Sequence, residues 1–281
     1  MKRMLPVEEL ARDSRFNRIR IEDTVFDPRN AAASAQRNGL APDYPGAPDN
    51  ARGLMHGIFV GEIQALEGAG RTVWDFPVGT GKDQEGVEQV PFALKLDMAR
   101  QCWDEARHVE ISCKLGDHMG STVGEFSEQT ILYEAACNPD PVLRLTGVNR
   151  ALEGLAIDVF KTMRDFGDTL QDPVLFFAED WMLADEVTHV KMGSDWLRRL
   201  TVDDKPRLQN ALDFQKAVDK IFNFGGFRGE EVENPVHLAR NFRRLAGFTE
   251  DEIGELVDIA AEAYAEARSR QEAKLPAGAP A

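Results

Sequence analysis

From Ala51 onward, the apolar residues of this chain recur every three or four positions, and almost no segment alternates with a period of two. One stripe passes through Met55, Phe59 and Leu66, and a later one begins at Leu94. Apolar residues at this spacing line one face of an α-helix, and that face is buried against other elements. The sequence therefore predicts an all-α core, and a hydrophobic content of 43% is enough to fill one.

Helix start signals divide this core into four long helices. The first is predicted over residues 51–74, and Pro91 suits the start of the second. Asp140 followed by Pro141 is typical of an N-cap and a first helical residue, so a third helix is predicted from there to about residue 166. Asp172 followed by Pro173 repeats the signal for a fourth helix.

The segments on either side of these helices have a different character. Further helices are predicted after Pro206, one of them opened by Thr249 and Glu252 at capping-box spacing. Residues 1–50 are rich in Arg, Asn, Pro and Ala, which is typical of an extended arm. The predicted domains are an extended N-terminal arm (1–50), a four-helix bundle (51–200), additional helices packed on the bundle (201–274) and a flexible tail (275–281).

Charge and cysteine spacing argue against several classes of protein. The chain has 48 acidic and 33 basic residues, a formal net charge of −15, and no local basic run, so we expect no nucleic-acid partner. No segment approaches the roughly 20 apolar residues of a membrane span. The N-terminus also lacks the apolar stretch of a signal peptide, so we expect a cytoplasmic protein with no membrane partner. Cys102, Cys113 and Cys137 form no CxxC pair, which argues against a disulfide framework or a structural zinc site.

Two similar strings lie on the buried faces of the second and fourth predicted helices. Residues 104–108 read DEARH, and residues 185–189 read DEVTH. Residues three apart on a helix lie on the same face, so Glu105 with His108 presents one oxygen and one nitrogen ligand to a common point. Glu186 and His189 do the same on their own helix. Each pair is predicted to form half of a two-metal site.

Lone glutamates on the other two helices complete such a site. Glu62 and Glu153 lie on apolar stripes, where an unpaired acid is rare. Di-iron and di-manganese helical bundles take one carboxylate from each of two helices and one Glu-x-x-His pair from each of the other two. Four glutamates balance the charge of two divalent ions, whereas the same acids buried without metal would repel each other strongly. Oxygen and imidazole ligands without thiolate favour iron or manganese over structural zinc.

Three further residues are predicted to support the metal ligands. Asp104 and Asp185 precede the ligand glutamates and point about 100° away from them around the helix, toward a neighbour. Metal-bound histidines usually donate their second ring N–H to a carboxylate, so we expect Asp104 to orient His189 and Asp185 to orient His108. Arg107 could bridge the two aspartates. The alternative is that both aspartates are surface acids.

One more histidine, His56, lies two turns before Glu62. It is a candidate contact for the substrate or for a metal ligand. A structural histidine with satisfied hydrogen bonds is the alternative.

With these residues identified, the chain resembles the ferritin-like di-iron carboxylate superfamily over roughly residues 50 to 200. The similar stretches are HGIFVGEIQALE (56–67), DEARH (104–108), LEGLAID (152–158) and DEVTHVKMG (185–193), followed by NPVHLARNFRRLAGF (234–248). Within the superfamily, the sequence resembles most a domain-of-unknown-function branch of oxygenase type, related in architecture to tRNA-hydroxylase-type enzymes. That branch commonly has a histidine two residues before its first glutamate, where this chain has Val60.

The resemblance implies a ferritin-like four-helix bundle with the six metal ligands Glu62, Glu105, His108, Glu153, Glu186 and His189. The hypothesis is an O2-dependent non-haem oxidase or oxygenase that binds two iron ions, or a Mn/Fe pair, and oxidises a small organic molecule. An electron donor and a homodimeric state are compatible with it. The alternatives are ferritin-like or rubrerythrin-like iron oxidation or peroxide handling, tRNA-hydroxylase-like modification, and a metal-free helical interaction protein.

Overall fold

The computed structural model describes residues 16–17, 49–126, 128–223, 228–230 and 236–272, and these are predominantly helical, which confirms the all-α prediction. The helices are α1 (Asp49–Asp75), α2 (Phe92–His118), α3 (Ile131–Ala136), α4 (Pro141–Leu145), α5 (Glu153–Leu170), α6 (Pro173–Leu200), α7 (Lys205–Asn223), α8 (Arg240–Leu245) and α9 (Glu250–Glu272). A π-helical segment, Thr146–Leu152, joins α4 and α5.

Two short parallel strand pairs accompany the helices. Strand β1 (Phe16–Asn17) pairs with β2 (Glu128–Gln129), and β3 (Arg228–Gly229) pairs with β4 (Val236–His237). The rest of the predicted N-terminal arm up to residue 48, and the predicted tail, lie outside the described residues. The predicted domain limits therefore remain a prediction. In the described part of the chain, no helix is both long enough and apolar enough to cross a membrane.

The predicted helix starts are present. The Asp140 carboxylate accepts the backbone N–H groups of Val142 and Leu143. Asp172 caps α6 in the same way. Each cap satisfies backbone donors that the first helical turn leaves without a partner.

The third predicted helix differs from the prediction in its interior. The chain from Pro141 to Leu170 is helical throughout, but residues 146–152 form the π-helical segment rather than a continuous α-helix. One extra residue per π turn shifts the angular phase of everything after it. Apolar spacing alone does not reveal this shift, because the segment is buried on all sides.

The four long helices pack as two antiparallel pairs, α1 with α2 and α5 with α6. Arg52, near the start of α1, donates to the carbonyl oxygen of Gly120 just beyond α2 at 3.0 Å. Gly167, near the end of α5, lies so close to the start of α6 that a Cβ there would be 2.8 Å from the Phe176 nitrogen. Contacts of α2 with α6, and of α1 with α5, join the pairs around a common interior.

Buried ion pairs attach the C-terminal helices to the long helices. Arg243 of α8 donates to Asp158 Oδ2 and to the Gly154 carbonyl oxygen of α5, both at 2.6 Å. Arg150 of the π-helical segment pairs with Glu252 of α9 and also donates to Gln215 of α7 at 2.8 Å. Removing one member of such a buried pair would leave the other charge uncompensated, so these contacts fix the position of the C-terminal segment.

Candidate metal centre

The six predicted ligands project from the four long helices into their common interior. Glu62 comes from α1, Glu105 and His108 from α2, Glu153 from α5, and Glu186 and His189 from α6. None is more than 4% exposed. They lie there because each occupies a position on the apolar stripe of its helix. We call these six side chains the carboxylate–histidine cluster.

One half of the cluster is centred on His108. Its Nδ1 atom lies 3.1 Å from Glu62 Oε2, 3.2 Å from Glu105 Oε2 and 3.2 Å from Glu186 Oε1. One ligand atom from each of these four residues lies within 4.8 Å of the others, so the group could hold a metal ion.

The other half is centred on His189. Its Nδ1 atom lies 3.1 Å from Glu105 Oε1 and 3.5 Å from Glu186 Oε1. Glu153 adjoins this half: burial and then the carboxylates of Glu186 and Glu105 raise the pKa of Glu153, and the nearby His189 partly opposes this shift. Glu105 and Glu186 therefore face both histidines, whereas Glu62 lies with His108 and Glu153 is on the side of His189.

The cluster has more buried polar atoms than its own hydrogen bonds can satisfy. A ring nitrogen offers one proton or one lone pair, so Nδ1 of His108 cannot hydrogen-bond three carboxylates at once. Among the described side chains, Glu105 Oε2, both oxygens of Glu186 and Nδ1 of His189 have no hydrogen-bond partner. Buried polar atoms without partners are rare in proteins. Cations placed between these atoms would satisfy them, so the residues fit a metal centre.

The pKa shifts show how strongly the cluster attracts positive charge. Burial lowers the pKa of His108, but the carboxylates of Asp185 and of three glutamates around the ring raise it more, so the net shift is upward. Burial raises the pKa of Glu105, but the two histidines lower it well below its usual range. Burial, followed by the Glu105 carboxylate, raises the pKa of Glu62. The raised pKa values of His108 and Glu62 show that the cluster favours bound positive charge.

The predicted supporting aspartates lie beside the outer ring nitrogens of the two histidines. Asp185 Oδ2 lies 3.2 Å from His108 Nε2, and Asp104 Oδ2 lies 3.3 Å from His189 Nε2. Arg107 donates to Asp104, and its Nη2 also donates to Asp185 Oδ2 at 3.3 Å. A proton on Nε2 that is donated to the aspartate leaves the Nδ1 lone pair directed at the centre of the cluster.

His56 does not join the cluster. Its Nε2 accepts a hydrogen bond from the backbone N–H of Gly124 at 2.9 Å, and its ring lies near those of Phe59 and Phe126. Burial lowers its pKa, although the Glu125 carboxylate partly opposes this shift. The described contacts therefore favour a structural role for His56.

Sequence reasoning missed two amides that link the ligand helices. Gln101 Nε2 donates to Glu105 Oε1 at 3.0 Å and to Glu153 Oε1 at 2.8 Å. Asn149 Nδ2 donates to Gln101 Oε1 at 2.6 Å. Both amides precede a predicted ligand glutamate by four residues. A search for polar residues one turn before each ligand on the same stripe would have found them.

A buried acid on α6 was also missed. Glu179 is completely buried, and burial raises its pKa well above the usual range. It precedes Glu186 by two helical turns, so it lies on the same face of α6. The sequence signal was an acid on an otherwise apolar stripe, the same signal that identified Glu62.

Comparison with known proteins adds a family but no activity. No curated protein and no solved structure matches the chain significantly. The family described as "Protein of unknown function (DUF455)" matches residues 7–254, which include every residue of the cluster and most of the chain. The chain therefore belongs to the DUF455 family.

Proposed function

We propose that this protein is an O2-dependent, non-haem di-iron oxidase or oxygenase of a small organic substrate, built on a ferritin-like four-helix bundle. One observation carries the proposal. Glu105 and Glu186, from different helices, each lie near both buried histidines, and three of their four carboxylate oxygens, all but Glu105 Oε1, have no hydrogen-bond partner in the described structure. Two carboxylates shared between two histidine-containing halves are the arrangement expected for a pair of metal ions.

The donor set supports a specific assignment of ligands. Glu62 and His108 would hold one ion, Glu153 and His189 the other, and Glu105 and Glu186 would be shared. Two divalent ions balance four carboxylates, so a buried cluster becomes neutral when both histidines are neutral. When bound, two ferrous ions supply electrons for the reduction of O2. A Mn/Fe pair fits the same oxygen and imidazole ligands.

The chain's own residues would control geometry and access. Asp185 and Asp104 would fix which nitrogen of His108 and His189 holds the proton, and so keep each lone pair directed inward. Gln101 would fix the carboxylates of Glu105 and Glu153 relative to each other. Apolar side chains from the four long helices, including Phe160 and Met182, surround the cluster and exclude water.

The chemistry of the chain favours an organic substrate over the alternatives. A rubrerythrin-type protein commonly has a CxxC electron-transfer module, which this sequence lacks. The net charge of −15 opposes a tRNA substrate. The segments outside residues 51–200 add enough chain to form a pocket, which a storage protein does not need. Electrons for repeated turnover would come from an external donor, and a homodimer is compatible with the proposal.

Metal analysis and oxygen uptake test the proposal together. Protein reconstituted anaerobically with Fe(II) is expected to retain about two iron ions per chain after desalting, and to consume O2 when mixed with aerated buffer. Glu105→Ala and Glu186→Ala should abolish both. Glu110→Ala is the control, because Glu110 lies on α2 but is exposed and paired with Lys114. A wild-type protein that retains no iron, or full retention in both cluster variants, would overturn the proposal.

A further inference from the structure

Glu179 is the one buried acid of α6 that the metal chemistry leaves without a role. Its side chain is 0% exposed. Neither of its carboxyl oxygens has a hydrogen-bond partner among the described residues. The neighbouring Asp180, by contrast, is exposed and pairs with Arg164. A buried carboxyl group with both oxygens unpartnered calls for an explanation, which a bound ligand would supply.

The packing of the long helices places Glu179 in an apolar layer. Gly167 of α5 packs on Leu175 of α6, so one turn further into the bundle Glu179 lies level with Met163. Ser112 of α2 contacts Met182 of α6 at 3.9 Å, one turn from Glu179 on its other side. Because an α-helix rises about 1.5 Å per residue, Glu179 and Glu186 are separated by about 10 Å along the axis of α6.

The apolar cluster that contains Met163 and Met182 is rich in methionine. Four of the eight methionines belong to this buried cluster, together with leucine and phenylalanine: Met55, Met119, Met163 and Met182. Methionine side chains repack easily and fill irregular space, so a methionine-lined layer can open around a ligand.

A crevice of about 20 Å³ reaches this level from the surface, lined by Met55, Ser112 and the loop around Thr122. It is too small for an organic molecule as it stands. Glu179 does not line this crevice, but Ser112 does and also contacts Met182, one turn from Glu179, so movement of Met55 and Met182 would extend the crevice toward Glu179.

We propose that Glu179 binds the amino group of the substrate, an amine with an apolar body, and thereby directs the rest of the molecule toward the carboxylate–histidine cluster. This inference rests on the proposed function. It deepens that function by naming the substrate class and the residue that selects it.

The chemistry of a dry carboxyl group favours an amine. Burial raises the pKa of Glu179 well above its usual range, which favours the neutral form of this carboxyl group. An ammonium ion that enters can pair with the Glu179 carboxylate, and the Glu179 proton then leaves to solvent. Charge is balanced, because the layer holds one cation and one anion after binding. A carboxylate ligand would place a second acid against Glu179, and a neutral alcohol would gain no ion pair.

Calorimetry with defined probes tests this inference. Protein loaded anaerobically with Mn(II) is titrated with benzylamine, benzyl alcohol and benzoate at pH 7, in buffers that differ in ionisation enthalpy. Benzylamine is expected to bind wild type with release of about one proton. The alcohol and the acid should bind at least about tenfold more weakly. Glu179→Gln and Glu179→Leu should lose the proton release and weaken benzylamine binding at least about tenfold. Asp180→Asn, the control, should bind like wild type.

The outcomes separate this inference from the metal assignment. Metal content is measured for every variant, and the Glu179 variants should hold as much metal as wild type, because Glu179 is no ligand. If Glu105→Ala loses metal as expected but benzylamine does not bind the wild-type protein, the metal assignment stands and the amine substrate class alone is overturned. Benzylamine binding with the same proton release in Glu179→Leu, or preferred binding of the alcohol or the acid, would also overturn it. Thermal unfolding confirms that each variant is folded.

Discussion

Glu62 and Glu105 are both buried glutamates of the cluster, yet their removal should have different effects on the metal content. Glu62 lies beside His108 alone, whereas Glu105 lies near both histidines. Glu62→Ala should therefore lose one ion and keep about one per chain, and Glu153→Ala should do the same for the other half. Glu105→Ala should lose both. Iron and manganese counted by elemental analysis after desalting would check this, and identical loss in all three variants would contradict the shared role of Glu105.

Asp185 should act on the metal through His108. Its carboxylate lies 3.2 Å from His108 Nε2 and helps to keep the Nδ1 lone pair directed inward. Asp185→Asn should weaken metal binding by roughly 10- to 100-fold, the usual effect of losing such a partner. Competition with a chromophoric chelator measures this change. Asp195→Asn is the control, since Asp195 lies exposed on the same helix and pairs with Lys191 and Arg198. Equal affinities in the two variants would contradict the orienting role.

The buried carboxyl group of Glu179 should lower the free energy of unfolding of the wild-type protein. A buried carboxyl group without partners costs about 1–3 kcal/mol of folding free energy relative to a satisfied or apolar group. Glu179→Leu should therefore raise the free energy of unfolding by about that amount, measured by urea denaturation of the metal-loaded protein. Asp180→Asn should change it by less than about 0.5 kcal/mol, as expected of an exposed site. A destabilised Glu179→Leu would mean that the carboxyl group has a structural partner.

At the scale of elements, α6 packs closely against the π-helical segment. This contact positions the amide side chain that links the segment to the cluster. A Cβ on Gly193 would lie 2.5 Å from the Asn149 Cβ, so only glycine allows this contact. Gly193→Ala should displace Asn149 from Gln101 and cost about 1–3 kcal/mol in unfolding free energy. It should also weaken metal binding. Gly57→Ala is the matched control, because nothing lies within 4 Å of its added Cβ and alanine favours helix.

Local signals predicted some elements of this fold and not others. The caps at Asp140 and Asp172 and the capping box of Thr249 with Glu252 depend on neighbouring residues, and all three are present. The π-helical segment packs against distant parts of the chain, for example at Gly193, and no local pattern reveals it. A prediction made from neighbours in sequence cannot include a backbone shift that tertiary packing imposes.

The same distinction holds for the cluster. The Glu-x-x-His pairs were predictable because both members lie on one helix face. The pairing of Asp104 with His189 was predictable only by assuming two related halves, and the structure brings these side chains within 3.3 Å. Gln101 was overlooked because its link to Glu153, on another helix, cannot be read from its own position one turn before Glu105. The metal-ligand assignment itself stays a prediction.

At the scale of the whole molecule, metal should determine how firmly the four long helices are held together. The ligands come from α1, α2, α5 and α6, so bound ions would cross-link all four and neutralise buried acids in a chain of net charge −15. Ligand that binds only the folded state stabilises it by about 2.7 kcal/mol at 100 times the Kd. Removing metal with a chelator should therefore lower the unfolding temperature by roughly 5 °C or more, measured by calorimetry. Glu105→Ala should show no such dependence on the chelator. A wild-type protein that unfolds at one temperature with and without metal would contradict a cross-linking centre.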